Sequence, residues 1–564
     1  MQSTVTVKPS DLPLQCLYRW ESQRRDAVYL TQPTGGGAVD NITWGQAAEQ
    51  VRRMATWLQS HGWEAGSRVA VLGKNSAHWI LADLAIQMAG YVSVPIYPTF
   101  NAEALAYILE HSEAKACFIG KLDDTANVHS GIPQGFPVVV LPLAPADVKG
   151  LAWNELLTGN APLQGQPVMD GNQVSTIIYT SGTTGKPKGV VHTFNTMAWG
   201  VSSATKRIPM DANDRYISYL PLAHVAERML VEQASLRYGG QIFFAESLDT
   251  FLQDLQRARP TIFFSVPRLW VKFQHGIHSK MPAKKLNFLL SLPLIGGLVR
   301  KKILTGLGLD QCRIAAGGAA PMPAEVLRWY RRLGLDLIEV YGMTENCGVS
   351  HCTLPGSDKS GNVGFPYEGV DQRIDPETGE IQMRCPALML GYYKEPVLTR
   401  EAIGADGWLH TGDKGQINAE GAMVITGRVK DIFKTSKGKY VAPAHVEDLL
   451  VRHTAVEACL VTGANLPQPI ALLLLSPDAS ASAQNAEGKA ALTAELAQHL
   501  KDVNAQLEPH EKLDMLVTMT TPWTPENGFV TPTLKVKRPV MEAAFSAQFE
   551  AWLAQKQPVV WSGQ

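Results

Sequence analysis

Short β-rich runs alternate with helical stretches through the first two thirds of the chain, and few architectures accommodate that alternation. "SRVAVLG" (Ser67 to Gly73) reads as a strand and "SAHWILADLAIQMAG" as the helix after it. In that helix Ile80, Leu84 and Met88 recur at i, i+4 and i+8, and Gly90 supplies a stop. "YVSVPIY" returns as a strand, and a further helix starts near Asn101. The pattern recurs at "VSTIIYT" and at "PAEVLRWYRRLG" followed by "LDLIEVYG". Such alternation predicts an α/β fold, with layered and largely parallel sheets in a large N-terminal domain. Near Gly427 and Arg428 the character changes. "GRVKDIFKTSKGKYV" is rich in charge and leads into a smaller αβ pattern, with "APAHVEDLLVRH" as a helix and "IALLLL" as a strand. The expected boundary separates 1–427 from 428–564. The polar stretch "SPDASASAQNAEGK" reads as a solvated loop.

At 564 residues the chain has room for several cores. Its 51 Lys and Arg against 52 Asp and Glu leave a net charge of -1, so no nucleic-acid partner is expected. The seven cysteines are scattered without a CxxC, which fits a reducing, cytoplasmic compartment rather than a disulfide framework or structural zinc. Cys347, His351 and Cys352 stand close together but lack a fourth ligand nearby. The opening "MQSTVTVKPSDLPLQ" has no basic segment followed by an apolar run, so it is not a secretory signal. The greasiest segment, Leu286 to Val299, is flanked by Lys284, Lys285, Arg300, Lys301 and Lys302. It is too short to span a bilayer, and Pro293, Gly296 and Gly297 interrupt it. Two readings stay open: a buried hairpin of helices, or a peripheral contact with the cytoplasmic face of a membrane, lysines toward anionic headgroups.

The strand "VSTIIYT" delivers the loop "YTSGTTGKPKG", Tyr179 to Gly189. Gly182, Gly185 and Gly189 allow close backbone approach, Ser181, Thr183 and Thr184 offer donors, and Lys186 and Lys188 supply charge. This loop suits phosphate. It is not the G-x-x-x-x-G-K-[ST] loop of nucleotide kinases: only Thr183 and Thr184 separate the first two glycines, and Pro187 follows Lys186 where a magnesium-binding hydroxyl belongs.

Four further stretches follow in order: "YGMTE" (Tyr341 to Glu345), "GWLHTGD" ending at Asp413, "GRVKD", and "TPTLKVKR" near the C-terminus. With the phosphate loop they resemble the adenylate-forming superfamily of acyl-CoA synthetases, luciferases and peptide-synthetase adenylation domains, from about Trp44 to Arg538. "YLPLAHVAER", "SVPRLW", "GGAAPM", "KTSKGKYVAP" and "ENGFVTPTLKVKR" are similar to the long-chain fatty acid–CoA ligase branch.

The resemblance implies ATP, Mg²⁺ and coenzyme A as reactants, and a fatty acid of medium-to-long chain as the acid. Thr180, Ser181, Gly182, Thr183, Thr184, Gly185, Lys186 and Lys188 would grip the phosphates. Thr344 would contact phosphate, and Glu345, with Thr184, would hold Mg²⁺. Tyr341 and Gly342, with Gly317, Gly318, Ala319, Ala320 and Pro321, would line the adenine. Asp413 would accept from both ribose hydroxyls, and Arg428 would contact the ribose. His224 would stand between the nucleotide and acyl pockets; alone it reads equally as a core histidine. Lys535 would act in adenylation, where cationic charge offsets the repulsion between carboxylate and triphosphate. The small domain would be mobile about Lys430, exchanging Lys535 for Lys437, Gly438 and Lys439, which would receive CoA. Two other acceptor or acid choices stay open: an acyl carrier protein, and an aromatic or other carboxylic acid. Oligomeric state is not legible.

Overall fold

The computed structural model describes residues 7–180, 186–320, 322–357, 361–531 and 534–563. The chain divides into two compact units: 7–180 with Lys186–Gln372 and Met383–Leu409, and Arg373–Gln382 with 410–563.

The larger unit is built on an eight-stranded sheet. Its order is Gly391–Tyr392, Lys188–Thr193, Val174–Thr180, Val92–Ile96, Arg68–Leu72, Cys117–Ile119, Val138–Val140 and Leu151–Ala152. The inner and far pairings are parallel, whereas Val174–Thr180 with Lys188–Thr193, and Lys188–Thr193 with Gly391–Tyr392, are antiparallel. Strands covered on both faces need continuous apolar runs, and all five residues of Val92–Ile96 are buried. A five-stranded sheet runs Ile262–Ser265, Ile314–Gly318, Ile338–Tyr341, His351–Cys352, Phe365–Pro366. A four-stranded one runs Arg215–Ser218, Gln241–Phe244, Val28–Gly35, Ala38–Thr43.

The helix expected after Gly73 runs Ala77–Met88, with Ser76 accepting from the Trp79 amide as its N-cap and Gly90 following at φ +86°. It is more than one apolar stripe. Every residue except His78 is buried, Asp83 included. A second helix, Ala102–Ser112, starts from an Asn101 cap. The segment Leu286–Val299 falls on two packed helices, Ala283–Ser291 and Ile295–Gly306. Leu286 and Leu290 enter the core beside Trp270 and Tyr330.

In the smaller unit a four-stranded sheet runs Val456–Thr462, Ile470–Leu475, Leu516–Met519, Val559–Trp561. Alternate residues serve opposite faces. Val461, Ala471 and Leu473 pack with helices Pro443–Leu450 and Ala486–Asn504, while Leu460, Ile470 and Leu472 pack with Met541, Phe545 and Trp552. The stretch "SPDASASAQNAEGK" is not a loop. Ser476 caps the helix Pro477–Ser482 by accepting from Ala479, and Asn485 caps Ala486–Asn504 by accepting from Gly488 at 2.7 Å. Serine and asparagine are strong cap formers and alanine the strongest helix former, so a low-complexity composition concealed two helix starts.

Candidate active site

Thr180 lies directly opposite Lys188, and Tyr179 opposite Gly189, because the phosphate-loop segment joins two antiparallel strands. The chain leaves that segment as a strand, in keeping with Pro187. Ser181, Gly182, Thr183, Thr184 and Gly185 lie outside the described residues. Lys186 is exposed, its Nζ 5.0 Å from the centroid of Tyr107. Lys188 Nζ stands 5.4 Å from the ring of Tyr392. Tyr392 belongs to the strand on the other side, paired with Val190, and its phenol donates to Glu345 Oε1 at 2.8 Å. Burial, and then the neighbouring Glu345 carboxylate, push the Tyr392 hydroxyl well above its ordinary pKa, so it remains a donor. Lys188, Tyr392 and Glu345 thus form a connected line that begins opposite Thr180.

Thr344 and Glu345 sit in a short 3-10 turn, Thr344–Asn346, fastened from several sides. The Glu345 carbonyl accepts from the Met389 amide at 2.8 Å, and Asn346 Oδ1 accepts from the Met343 amide at 3.0 Å. His192 Nε2 lies 2.7 Å from the Thr344 carbonyl and donates to it. Burial lowers the His192 pKa to about 4, so the ring is neutral, with Nδ1 facing Thr196 Oγ1 at 3.2 Å and Cys347 Sγ at 3.3 Å. His351 stands elsewhere, between Ser350 Oγ and Gln372 Oε1. The three residues Cys347, His351 and Cys352 therefore do not converge.

Gly317 and Gly318 end the strand Ile314–Gly318, opposite Glu339 and Val340. A Cβ on Gly318 would stand 2.9 Å from the Val340 carbonyl oxygen. Ala319 follows with φ +70°, and both Ala319 and Ala320 are exposed, while Pro321 lies outside the described residues. Tyr341 is half-buried at the end of Ile338–Tyr341, its ring 6.0 Å from that of His351. Gly342 admits no side chain: a Cβ there would lie 2.2 Å from the Gly348 carbonyl oxygen.

His224 caps the short helix Val225–Glu227, its Nδ1 accepting from the Ala226 amide at 3.2 Å. With Nδ1 accepting, Nε2 is the ring nitrogen placed to donate. The loop before it is clamped by groups the sequence did not single out. Asn75 Nδ2 donates to Leu220 O at 2.6 Å and to Glu227 Oε1 at 3.2 Å, and Asn75 Oδ1 accepts from Leu222 N. Glu227 Oε1 also accepts from the Tyr219 amide. Complete burial pushes the Glu227 carboxyl up to about 8. Beside it, Arg228 pairs through both terminal nitrogens with Asp83 at 3.0 Å, both side chains buried. The "HVAER" stretch held this signal, since an adjacent acid and base in an apolar setting must be satisfied internally.

In the smaller unit the strands Leu409–Ile417 and Met423–Arg428 set Asp413 opposite Arg428, joined from Arg428 Nε to Asp413 Oδ1 at 2.9 Å. Glu380 steadies this hairpin by accepting from the Gly412 amide at 2.8 Å and by pairing with His410 Nδ1. Lys430 is exposed just beyond it. Lys437, Gly438 and Lys439 form an exposed turn closed by Thr435, whose amide donates to Lys439 O while its carbonyl accepts from Gly438 N, both at 2.9 Å. Gly438 has φ +78°, and a Cβ there would meet only Lys434 Cε at 3.8 Å. The glycine answers a left-handed backbone rather than crowding within the protein. Lys535 is exposed on a turn in which Thr531 Oγ1 accepts from the Lys535 amide and Lys535 O accepts from Thr531 N. Arg538, by contrast, is locked against Glu447 at 2.6 Å and is 12% exposed.

Among the described residues no three His, Cys, Asp or Glu side chains gather to bind a metal. Glu345 alone, backed by a phenol, suits Mg²⁺ only where substrate phosphates and water complete the shell.

The chain matches the family model described as AMP-binding enzyme over residues 17–393, and that of the AMP-binding enzyme C-terminal domain over 430–557. It is 33% identical to the peroxisomal long chain acyl-CoA synthetase 6 of Arabidopsis thaliana, covering 93% of this chain and 83% of that protein. It is 30% identical to the long-chain-fatty-acid–CoA ligase FadD15 of Mycobacterium bovis, covering 94% and 96%. Among solved structures, the adenylation domain of a carboxylate reductase from Mycobacterium chelonae superimposes with a TM-score of 0.79 at 21% identity, covering 97% and 92%. The anthranilate CoA ligase AuaEII with anthranoyl-AMP gives 0.77 at 21%, covering 96% and 100%. At that identity these two share the fold.

Proposed function

We propose, for a chain that belongs to the AMP-binding enzyme family, that it joins a medium-to-long-chain fatty acid to coenzyme A at the expense of ATP. In the first step a carboxylate oxygen attacks the α-phosphorus of ATP and pyrophosphate leaves. In the second the CoA sulfur attacks the acyl carbonyl, AMP leaves with the bonding pair, and the thiol proton passes to solvent. The line Lys188–Tyr392–Glu345 is the observation that carries this reading, since it sets a cation and a buttressed carboxylate beside the phosphate-loop strands.

Lys186 and Lys188 offset phosphate charge, and Glu345 is the residue that would hold Mg²⁺, whose charge would offset that of the pyrophosphate oxygens. Thr344 offers its hydroxyl to phosphate from a turn that His192 holds still. Tyr341 stacks on the adenine beside Gly317 to Ala320. Asp413 and Arg428 bind the ribose as a pair, and Lys535 supplies charge during adenylation alone. The pairing of Arg538 with Glu447 counts against that neighbour and leaves Lys535 and Lys537, of which Lys535 matches the family's lysine. Lys437 and Lys439 favour CoA over a carrier protein as acceptor, because the phosphates of CoA need cations. Relatives named for long-chain fatty acids, matched over most of the chain, support the choice of acid.

The test is a panel of fatty and aromatic acids with ATP, Mg²⁺ and CoA, measuring AMP, pyrophosphate and acyl-CoA separately. AMP and pyrophosphate in equal amounts, with highest kcat/KM on fatty acids, is the expected result. Release of ADP would overturn the adenylation reading, and a preference for benzoates would overturn the acid.

A further inference from the structure

The helices Ala283–Ser291 and Ile295–Gly306 treat their apolar residues in two ways. Leu286 and Leu290, one turn apart, are buried in the core. Phe288, on the opposite face, is 64% exposed, and Leu294 and Leu298, also one turn apart, are 90% and 70% exposed. Leu294 marks the bend between the helices at φ +64°, a backbone region that a leucine rarely occupies. A large apolar side chain is thus held outward at the apex of a hairpin.

Charge along this stretch of chain is one-signed. Residues 260–309 contain eight lysines and arginines and not one aspartate or glutamate, in a chain whose totals are balanced at 51 and 52, while Arg257 and Arg259 just before them are paired with Asp254 and Asp310. Lys284 and Phe288 share a helix face, and Lys301 and Lys302 lie one turn beyond Leu298; all three lysines are exposed. No helix among the described residues is long and apolar enough to cross a membrane.

We propose that this hairpin is a docking surface for an anionic bilayer, with Phe288, Leu294 and Leu298 entering the headgroup–acyl boundary and the lysines meeting lipid phosphates. A groove for an acidic protein would shelter the apolar residues, whereas here Leu294 is 90% exposed at the bend and Leu298 70% exposed beside it. An interface with a second copy through the same hairpin would set its lysines against an equal charge if the contact were symmetric. Each basic side chain near an anionic leaflet raises partitioning about fivefold, and apolar insertion makes the contact resistant to salt. The proposal does not depend on which acid is activated.

Flotation with vesicles of phosphatidylcholine, with and without phosphatidylglycerol, tests it on the full chain. The wild type should float with the anionic vesicles and at least tenfold less with the neutral ones. Replacing Lys284, Lys285, Lys301 and Lys302 together by Gln should reduce flotation at least tenfold at low salt. Phe288→Ser, Leu294→Ser and Leu298→Ser combined should abolish the salt-resistant fraction. Because all seven side chains are exposed, unfolding midpoints should match the wild type; Leu294→Glu alone is a milder second variant with the same expected direction. Equal flotation of all variants, none by the wild type, or equal binding to both vesicles would overturn the proposal. So would concentration-dependent dimerisation of the wild type that the triple variant lacks.

Discussion

Glu345 and Thr344 in the larger unit are fastened through side chains, by Tyr392 and His192, whereas Lys437, Lys439 and Lys535 in the smaller unit stand exposed on turns whose backbone is what the hydrogen bonds hold. The first arrangement is preorganised, with polar groups oriented before substrate arrives and little left to reorganise. The second fixes where a charge is mounted and leaves the long side chain to find its target. A reaction with two different second reactants can use both: a constant grip on the nucleotide, and cations needed in one step only.

The largest effect should come from the mounted charge. Lys535→Ala should lower pyrophosphate exchange by about a hundredfold to a thousandfold, the usual cost of removing such an electrostatic contact. Conversion of supplied acyl-AMP and CoA to thioester should stay near normal. Equal loss of both half-reactions in a folded variant would break the division of labour.

On the fastened side, the buried Glu227 should leave a mark on stability. Its folded pKa of about 8 lies above its ordinary 4.5, so between these values the folded protein keeps a proton that the unfolded chain has released. Stability is then complete below about pH 4.5 and is lost as pH rises through 8, with a slope up to about 1.4 kcal/mol per pH unit for one proton. Glu232, also buried with a raised pKa, contributes in the same direction. Denaturant unfolding of Glu227→Gln from pH 5 to 8 should show the slope reduced. An unchanged slope would place the ionised form of Glu227 in the fold.

Tyr392→Phe removes one donor to Glu345 and should reduce adenylation about tenfold, partly recovered at higher Mg²⁺, as for partners of metal-binding carboxylates in general. A loss that Mg²⁺ does not touch would mean the phenol orients something other than a metal ligand. The smallest effect is expected at Gly438→Asn, because asparagine tolerates the left-handed region. Stability should shift by less than about 1 kcal/mol, and the thiol step should persist. If CoA attack stopped while folding held, close approach of the thiol arm rather than φ would explain the glycine.

Much of this was legible in the sequence. Strand and helix alternation gave the larger unit, since parallel strands must be apolar throughout and helices must separate them. Thr344, Glu345, Asp413 and Arg428 could be proposed from the sequence because each sits in a short motif. Tyr392 and His192 could not, because they reach Glu345 and Thr344 across 47 and 152 residues, and only strand pairing brings them there. The helix starts at Ser476 and Asn485 were missed for a local reason: cap residues and loop residues are the same amino acids, told apart only by whether helix-forming residues come next.

The strand Lys188–Thr193 has Val174–Thr180 on one side and only the two residues Gly391–Tyr392 on the other. During synthesis its first neighbour is made just before it, but its second emerges roughly 200 residues later, about 10 to 40 s at ordinary elongation rates. Until then that edge of the strand has no partner for its amides and carbonyls, the kind of open edge on which neighbouring chains aggregate. The order of synthesis thus leaves this one edge open to misassembly until residues 391 and 392 are made.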